Sequence, residues 1–160
     1  MRIPDTLLIA PCTFETGLAA AGLAAAGLSA AGLSAARVGQ AIARGVRAAG
    51  MPEPDVCAIE ELASGTSLAA ALDALAFDAR MRGARAVVVA AWRLDRDTLR
   101  ASATFEIATR ARQAGVPAYA VAGENRLDAF DARILDLQVI LTARDARGLS
   151  AAGRKLAQLA

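Results

Sequence analysis

The side chains able to do chemistry in this sequence gather just downstream of its apolar runs. Cys12, Thr13 and Glu15 follow the run at residues 7–10, and Ser64, Gly65 and Thr66 follow the one at 56–59. Trp92, Arg93, Asp95 and Thr98 follow residues 86–91, and Gly123 and Asn125 follow residues 117–122. Arginine suits two-pronged recognition of a carboxylate, so Arg93 with Asp95 could orient a small acid; the plainer reading is an ion pair stapling its own loop. Trp92 either stacks on a ligand or fills apolar space. Cys12 is a reactive thiol only where a helix N-terminus faces it, and otherwise an ordinary buried cysteine.

The chain excludes several chemistries outright. It has no histidine, which removes the usual serine and cysteine hydrolase triads and most zinc sites. Lys155 is its sole lysine, so neither a phosphate-loop lysine nor a Schiff-base lysine exists in the body of the fold. An acid or base must then be Asp, Glu, Tyr119 or cysteine. Lys plus Arg is 18 against Asp plus Glu 16, without the basic stripe that a nucleic-acid binder needs, so neither DNA nor RNA is an expected partner. Cys12 and Cys57 lack metal-ligand spacing and read as thiols in a reducing interior. No signal peptide is visible, the expected location is cytoplasmic, and no metal site or membrane contact is predicted.

These residues need a frame, and the periodicity supplies one. At 160 residues a single domain over 1–160 is expected. Apolar strands at 6–10, 56–59, 86–91, 117–122 and 137–142 alternate with helical patterns. The first helix runs from an N-cap at Ser34 to Ala49, before Gly50. The second runs from Thr66 as candidate N-cap to Arg82 with a stripe of Leu68, Ala71, Leu72, Leu75 and Ala76, and the third spans 98–114 before Gly115. A short helical stretch at 127–135 and a last helix capped by Ser150 complete the series. Strand, helix, strand in repetition predicts an α/β fold: a doubly wound, about five-stranded, mostly parallel sheet in a three-layer α/β/α sandwich of the Rossmann-like or flavodoxin-like kind. Ligands in such folds lie outside the carboxyl ends of the strands, where the residues above fall.

Residues 17–36 repeat the units GLAAA and GLSAA with a period of five. Five residues turn a helix by about 500°, so successive leucines step round by roughly 140° and form no single buried stripe. The repeat reads as a duplication without chemistry of its own, the alternative being a helical interaction arm.

With residues 17–31 removed, the first loop and helix read IAPCTFETGLSAARVGQAIARGV. That string resembles the opening of the bacterial glycerate kinases of the two-domain, non-P-loop type, whose pattern is I-A-P-D-S-F-K, S-L-S-A, V-A-x-A-I-x-x-G. ELASGT at 61–66 stands where the family has D-G-G-E-G-T. RLDRDTLRASATFEIATRARQAGVPAYAVAG at 93–123 is similar to R-L-D-x-Q-T-x-x-G-K-x-P-x-G-V-A followed by G-V-P-V-x-A-x-A-G.

The resemblance implies a kinase of glycerate using ATP and magnesium, in a cleft between two lobes. About twenty residues stand here where the family inserts its second lobe, which is expected to be missing. Cys12 stands at the family's Asp and Glu15 at its Lys; Ala90, Ala91 and Trp92 replace G-E-G, and residues 101–104 replace G-K-x-P. Phosphoryl transfer needs cations and metal-holding carboxylates, so these exchanges imply a degenerate, non-catalytic domain serving small-ligand binding or protein interaction. A residual kinase, with ATP and magnesium, is the alternative. The expected partners are a second copy of the chain and a small organic acid or nucleotide.

Overall fold

The computed structural model describes residues 5–12, 32–59 and 65–160. Thr13, Glu15, Ser64 and residues 17–31 of the repeat lie outside the described residues. The elements run β1 (Leu7–Pro11), α1 (Ala35–Ala48), β2 (Asp55–Val56), α2 (Leu68–Ala74), α3 (Phe77–Arg82), β3 (Ala86–Leu94), α4 (Thr98–Ala101), α5 (Ala103–Ala114), β4 (Ala118–Asn125), α6 (Ala129–Leu135), β5 (Leu137–Thr142) and α7 (Ala146–Leu159). The strands form one parallel sheet in the order β2-β1-β3-β4-β5. This is the three-layer, Rossmann-like architecture that the alternation predicts, with every pair parallel.

Period two sorts the strand residues between the layers. Leu7, Ile9, Val88, Ala90 and Val121 meet α1 and α7 on one face. Leu8, Ala10, Val87 and Val89 meet Leu72, Phe77, Met81 and Ile107 of α2, α3 and α5 on the other. The unbroken apolar run of β3 is fully buried at Val87, Val88 and Val89, as a central strand covered on both faces should be.

On the first face α1 and α7 approach until backbones touch. A Cβ on Gly45 would overlap the Ser150 carbonyl and sit 2.9 Å from Arg154 N; one on Gly153 would overlap the Ile42 carbonyl and sit 3.1 Å from Val46 N. Only glycine permits this approach.

Four expectations on the helices need correction. The run from Thr66 to Arg82 is two helices, broken where Ala76 takes a left-handed φ of 49°. Leu72 and Phe77 are both fully buried, yet five residues along one helix would set them about 140° apart; the break lets both reach the core and leaves Leu75 exposed. Ser67 rather than Thr66 caps α2, its Oγ accepting from Ala70 N at 3.1 Å. The stretch 98–114 breaks at Ser102, which is extended, accepts from Phe105 N at 3.1 Å and donates to the Thr98 carbonyl at 2.7 Å. Finally, Asp145 caps α7 by accepting from Gly148 N at 2.7 Å, which places Ser150 inside the helix. The Ser34 cap and the left-handed Gly115 after α5 stand as expected.

Two ion-pair clusters fix the helices of the second face. Arg110 Nε donates to Glu106 Oε1 at 2.8 Å, and its Nη1 to Asp73 and Asp78 at 2.9 and 3.0 Å, joining α5 to α2 and α3. Arg80 grips Asp55 with two bonds of 2.8 and 2.6 Å, fastening α3 to the edge strand β2. The Arg80 hydrogen bonds hold the Asp55 carboxyl below its ordinary range. A carboxyl depressed in the folded state stabilises fully above its unfolded pKa of about 3.9, and that stability is lost as pH falls through the lower folded value. Both groups are partly exposed, so the contribution is about 1 kcal/mol. Asp55→Asn should therefore cost stability at pH 7 and lose less than the parent on acidification below about pH 4, as read by urea unfolding at each pH. Equal acid sensitivity in both proteins would remove the pair from the acid response.

The two cysteines are free. Register sets Ala10 opposite Cys57, so Cys12 is displaced by two residues along the neighbouring strand. With about 3.3 Å per residue and about 4.8 Å between strands, their Cα atoms are roughly 8 Å apart, beyond disulfide reach.

Candidate functional site at the carboxyl ends of the strands

From β1 the chain crosses to β2 on one side and then to β3 on the other, so the order reverses between β1 and β3. Helices leave in opposite directions there and open a crevice at the carboxyl ends, the usual ligand position in this architecture. Cys12 N donates to the Ala90 carbonyl at 2.8 Å and ties the floor of the crevice together. Burial pushes the Cys12 thiol up to about 11, which favours the ordinary buried cysteine over the reactive thiolate. The walls supplied by the loops after β1 and β2 lie largely outside the described residues.

β3 and β4 continue further than their apolar runs, to Leu94 and Asn125, so Trp92, Arg93, Gly123 and Asn125 stand on strands rather than in loops. Trp92 lies flat on Gly123 of the neighbouring strand, its Cδ2 only 2.8 Å from where a Cβ would be. It also packs against the core cluster under α1 and α7, which favours the space-filling reading of this ring. Arg144 Nε donates to the Gly123 carbonyl at 3.1 Å.

One step along, Arg93 faces Glu124 across the ladder. Glu124 Oε2 lies 3.3 Å from Arg93 Nε and 3.0 Å from Arg126 Nη2. That oxygen is buried and lacks a well-angled hydrogen bond, so charge rather than directed bonding holds it between the two guanidinium groups. The ion pair expected between Arg93 and Asp95 is replaced by this cross-strand one. Asp95 is instead spent on its own turn: its N donates to Thr98 Oγ1 at 2.9 Å, and its Oδ1 accepts from Asp97 N and Thr98 N at 3.0 and 3.3 Å. Asn125 Oδ1 accepts from Leu127 N at 3.1 Å and closes a turn in the same manner. Gly65 makes an exposed turn with φ 87°, with Thr66 exposed beside it.

The structure thus brings Trp92, Arg93, Gly123 and Cys12 to one rim, with Asp95, Thr98 and Asn125 shaping its turns. Glu124, Arg126 and Arg144 join that rim, and the sequence reading passed over them. For Glu124 and Arg126 the signal is the polar string G-E-N-R directly after the apolar run of β4, and Arg144 likewise follows the apolar run of β5. A groove of ≈ 210 Å³ lined by Gly115, Pro117, Asp136 and Gln138 lies at the opposite, amino-terminal end of the sheet and is not part of this rim.

A family model described as the glycerate kinase family matches residues 13–152. The chain belongs to the glycerate kinase family. The match bears out the resemblance drawn from the motifs around Cys12, Thr66 and Arg93. No curated protein and no solved structure gives a significant match.

Glycerate kinase chemistry implies a nucleotide with magnesium, a metal that takes carboxylates with free oxygen lone pairs. At this rim Asp95 is committed to its turn and Glu124 to two arginines. Among the described residues no group of three or more acids and cysteines is placed to hold a metal. The described rim thus gathers no acidic cluster of that kind, and its charge is set by Arg93 and Arg126 around Glu124. Among the described residues, no helix is long and apolar enough to cross a membrane.

Proposed function

We propose that this glycerate kinase family domain binds a small organic anion at the carboxyl ends of β3 and β4 without transferring phosphate to it. The observation that carries this reading is the Arg93, Glu124, Arg126 cluster: two arginines share a single carboxylate and retain one net positive charge at the rim. An incoming carboxylate gains charge-assisted hydrogen bonds from donors already held in place. Among the described rim acids, Asp95 Oδ1 is engaged in its own turn and Glu124 lies between two arginines, and burial raises the Cys12 thiol. The family match, which includes Arg93, Leu94 and Asp95, is what favours the second reading, a residual kinase acting on glycerate or a related hydroxy acid with ATP and magnesium.

One pair of measurements separates these readings. Purified protein mixed with ATP, magnesium and D-glycerate should form no phosphoglycerate above background, and turnover of about one per second would establish the kinase instead. Titration with D-glycerate and other short hydroxy acids should change Trp92 fluorescence saturably, with affinity about tenfold or more weaker in Arg126→Met. Fluorescence and melting temperature unmoved by these acids and by nucleotides would sink the binding reading.

A further inference from the structure

The two edges of the sheet are built differently. β2 is two residues long, Pro52 and Pro54 precede it, and Arg80 clamps its Asp55, so it offers little to a further strand. β5 is six residues long with neither proline nor charge, and among the described residues it pairs on one side only, with β4. Val139, Ile140 and Leu141 are each partly exposed, and Gln138 and Thr142 are exposed. Such an edge templates pairing with another chain unless something covers it.

We propose that β5 pairs with β5 of a second copy of this chain, antiparallel about a two-fold axis at Ile140, joining two sheets into one. The sequence of the edge names the occupant. Around that axis Val139 meets Leu141 and Gln138 meets Thr142 of the second copy. Apolar faces apolar, amide faces hydroxyl, and no charge within the strand opposes the pairing. Shifting the axis to lie between Val139 and Ile140 would set Gln138 against Leu141 and Leu137 against Thr142, so that amide and hydroxyl no longer meet. A self-complementary patch is what a two-fold interface requires.

Two observations agree on where the surface lies. Phe130 at 70%, Ile134 at 39% and Leu159 at 51% are exposed large hydrophobic residues, and they sit on α6 and α7, the elements before and after β5 in the chain. A groove of ≈ 370 Å³ lined by Leu141, Thr142, Ala151 and Lys155 runs beside the same edge and leaves room for side chains of the second copy. The ladder gives direction and register, and the apolar surface gives burial.

Analytical ultracentrifugation of the full chain tests this through two exposed positions. The wild-type chain should sediment as a dimer. Gln138→Lys with Thr142→Lys sets lysine against lysine twice and should weaken the dimer about tenfold or more. Gln138→Glu with Thr142→Lys sets unlike charges at the same points and should stay dimeric. Circular dichroism should show both variants folded, so that dissociation is read on intact protein. A wild-type monomer, a lysine variant as tightly dimeric as wild type, or a Glu/Lys variant that dissociates as far as the lysine variant would each overturn the proposal.

Discussion

Gly45→Ala and Gly153→Ala should each destabilise the fold by about 2 kcal/mol or more, although alanine is the better helix former by about 1 kcal/mol. The reason is the contact between α1 and α7, where the added methyl would meet carbonyl and amide atoms of the facing helix backbone. A side chain struck by a new methyl can rotate away. A helix backbone cannot, so the helices must separate, and Ile42, Val46, Leu149 and Leu156 between them and the sheet lose packing together. Gly83→Ala is the control: its Cβ would find its nearest neighbour at 3.5 Å in ordinary contact, and the change should fall within about 0.5 kcal/mol of wild type. Urea unfolding of the three variants decides the matter. If Gly45→Ala and Gly153→Ala unfold at or above the wild-type midpoint, the backbone contact is not the constraint described above.

Removing the charge at Arg110 should be the other large loss, at about 2–3 kcal/mol for Arg110→Met. Arg110 is mostly buried, 13% exposed at its side chain, and serves three carboxylates on three helices. Its guanidinium is held charged foremost by the Glu106 hydrogen bond and next by that of Asp73. Without it Asp73, Asp78 and Glu106 repel one another around an apolar stem. The partners are more exposed than the arginine, which keeps the loss below that of a fully buried ion pair. Arg110→Lys should recover only part, because one ammonium cannot reproduce the divergent donors at Nε and Nη1. High salt should restore some stability to Arg110→Met by screening the three carboxylates. A methionine variant as stable as wild type would reduce the cluster to solvated surface charge.

These two features differ in how far the sequence shows them. Gly45 falls on the apolar stripe of α1, so its burial is legible, but its partner Gly153 stands on a helix whose cap was misplaced at Ser150. Asp145, an equally good N-cap residue five positions earlier, is the one that sets the face of α7. The Arg110 cluster joins residues some thirty positions apart that come together only because α2 and α3 are separate, and nothing local marks a left-handed Ala76. Ser34, Gly115 and β5 were legible because each depends on its own neighbours.

The same division runs through the rim. The apolar cores of β3 and β4 announce themselves, whereas Trp92–Leu94 and Gly123–Asn125 extend the ladder through cross-strand pairs that only the register reveals. The acid nearest Arg93 in sequence is Asp95, but its ion-pair partner across the ladder is Glu124. The family was readable from motifs because it is written in short contiguous strings around Cys12, Thr66 and Arg93.

The seam between α1 and α7 also imposes an order on biosynthesis. When Gly45 leaves the ribosome, the segment that will lie against it has not been translated, and roughly a hundred further residues must be added first. Throughout that interval part of the greasy side of α1 is uncovered, at the stage when nascent chains are most prone to associate with one another or with a chaperone.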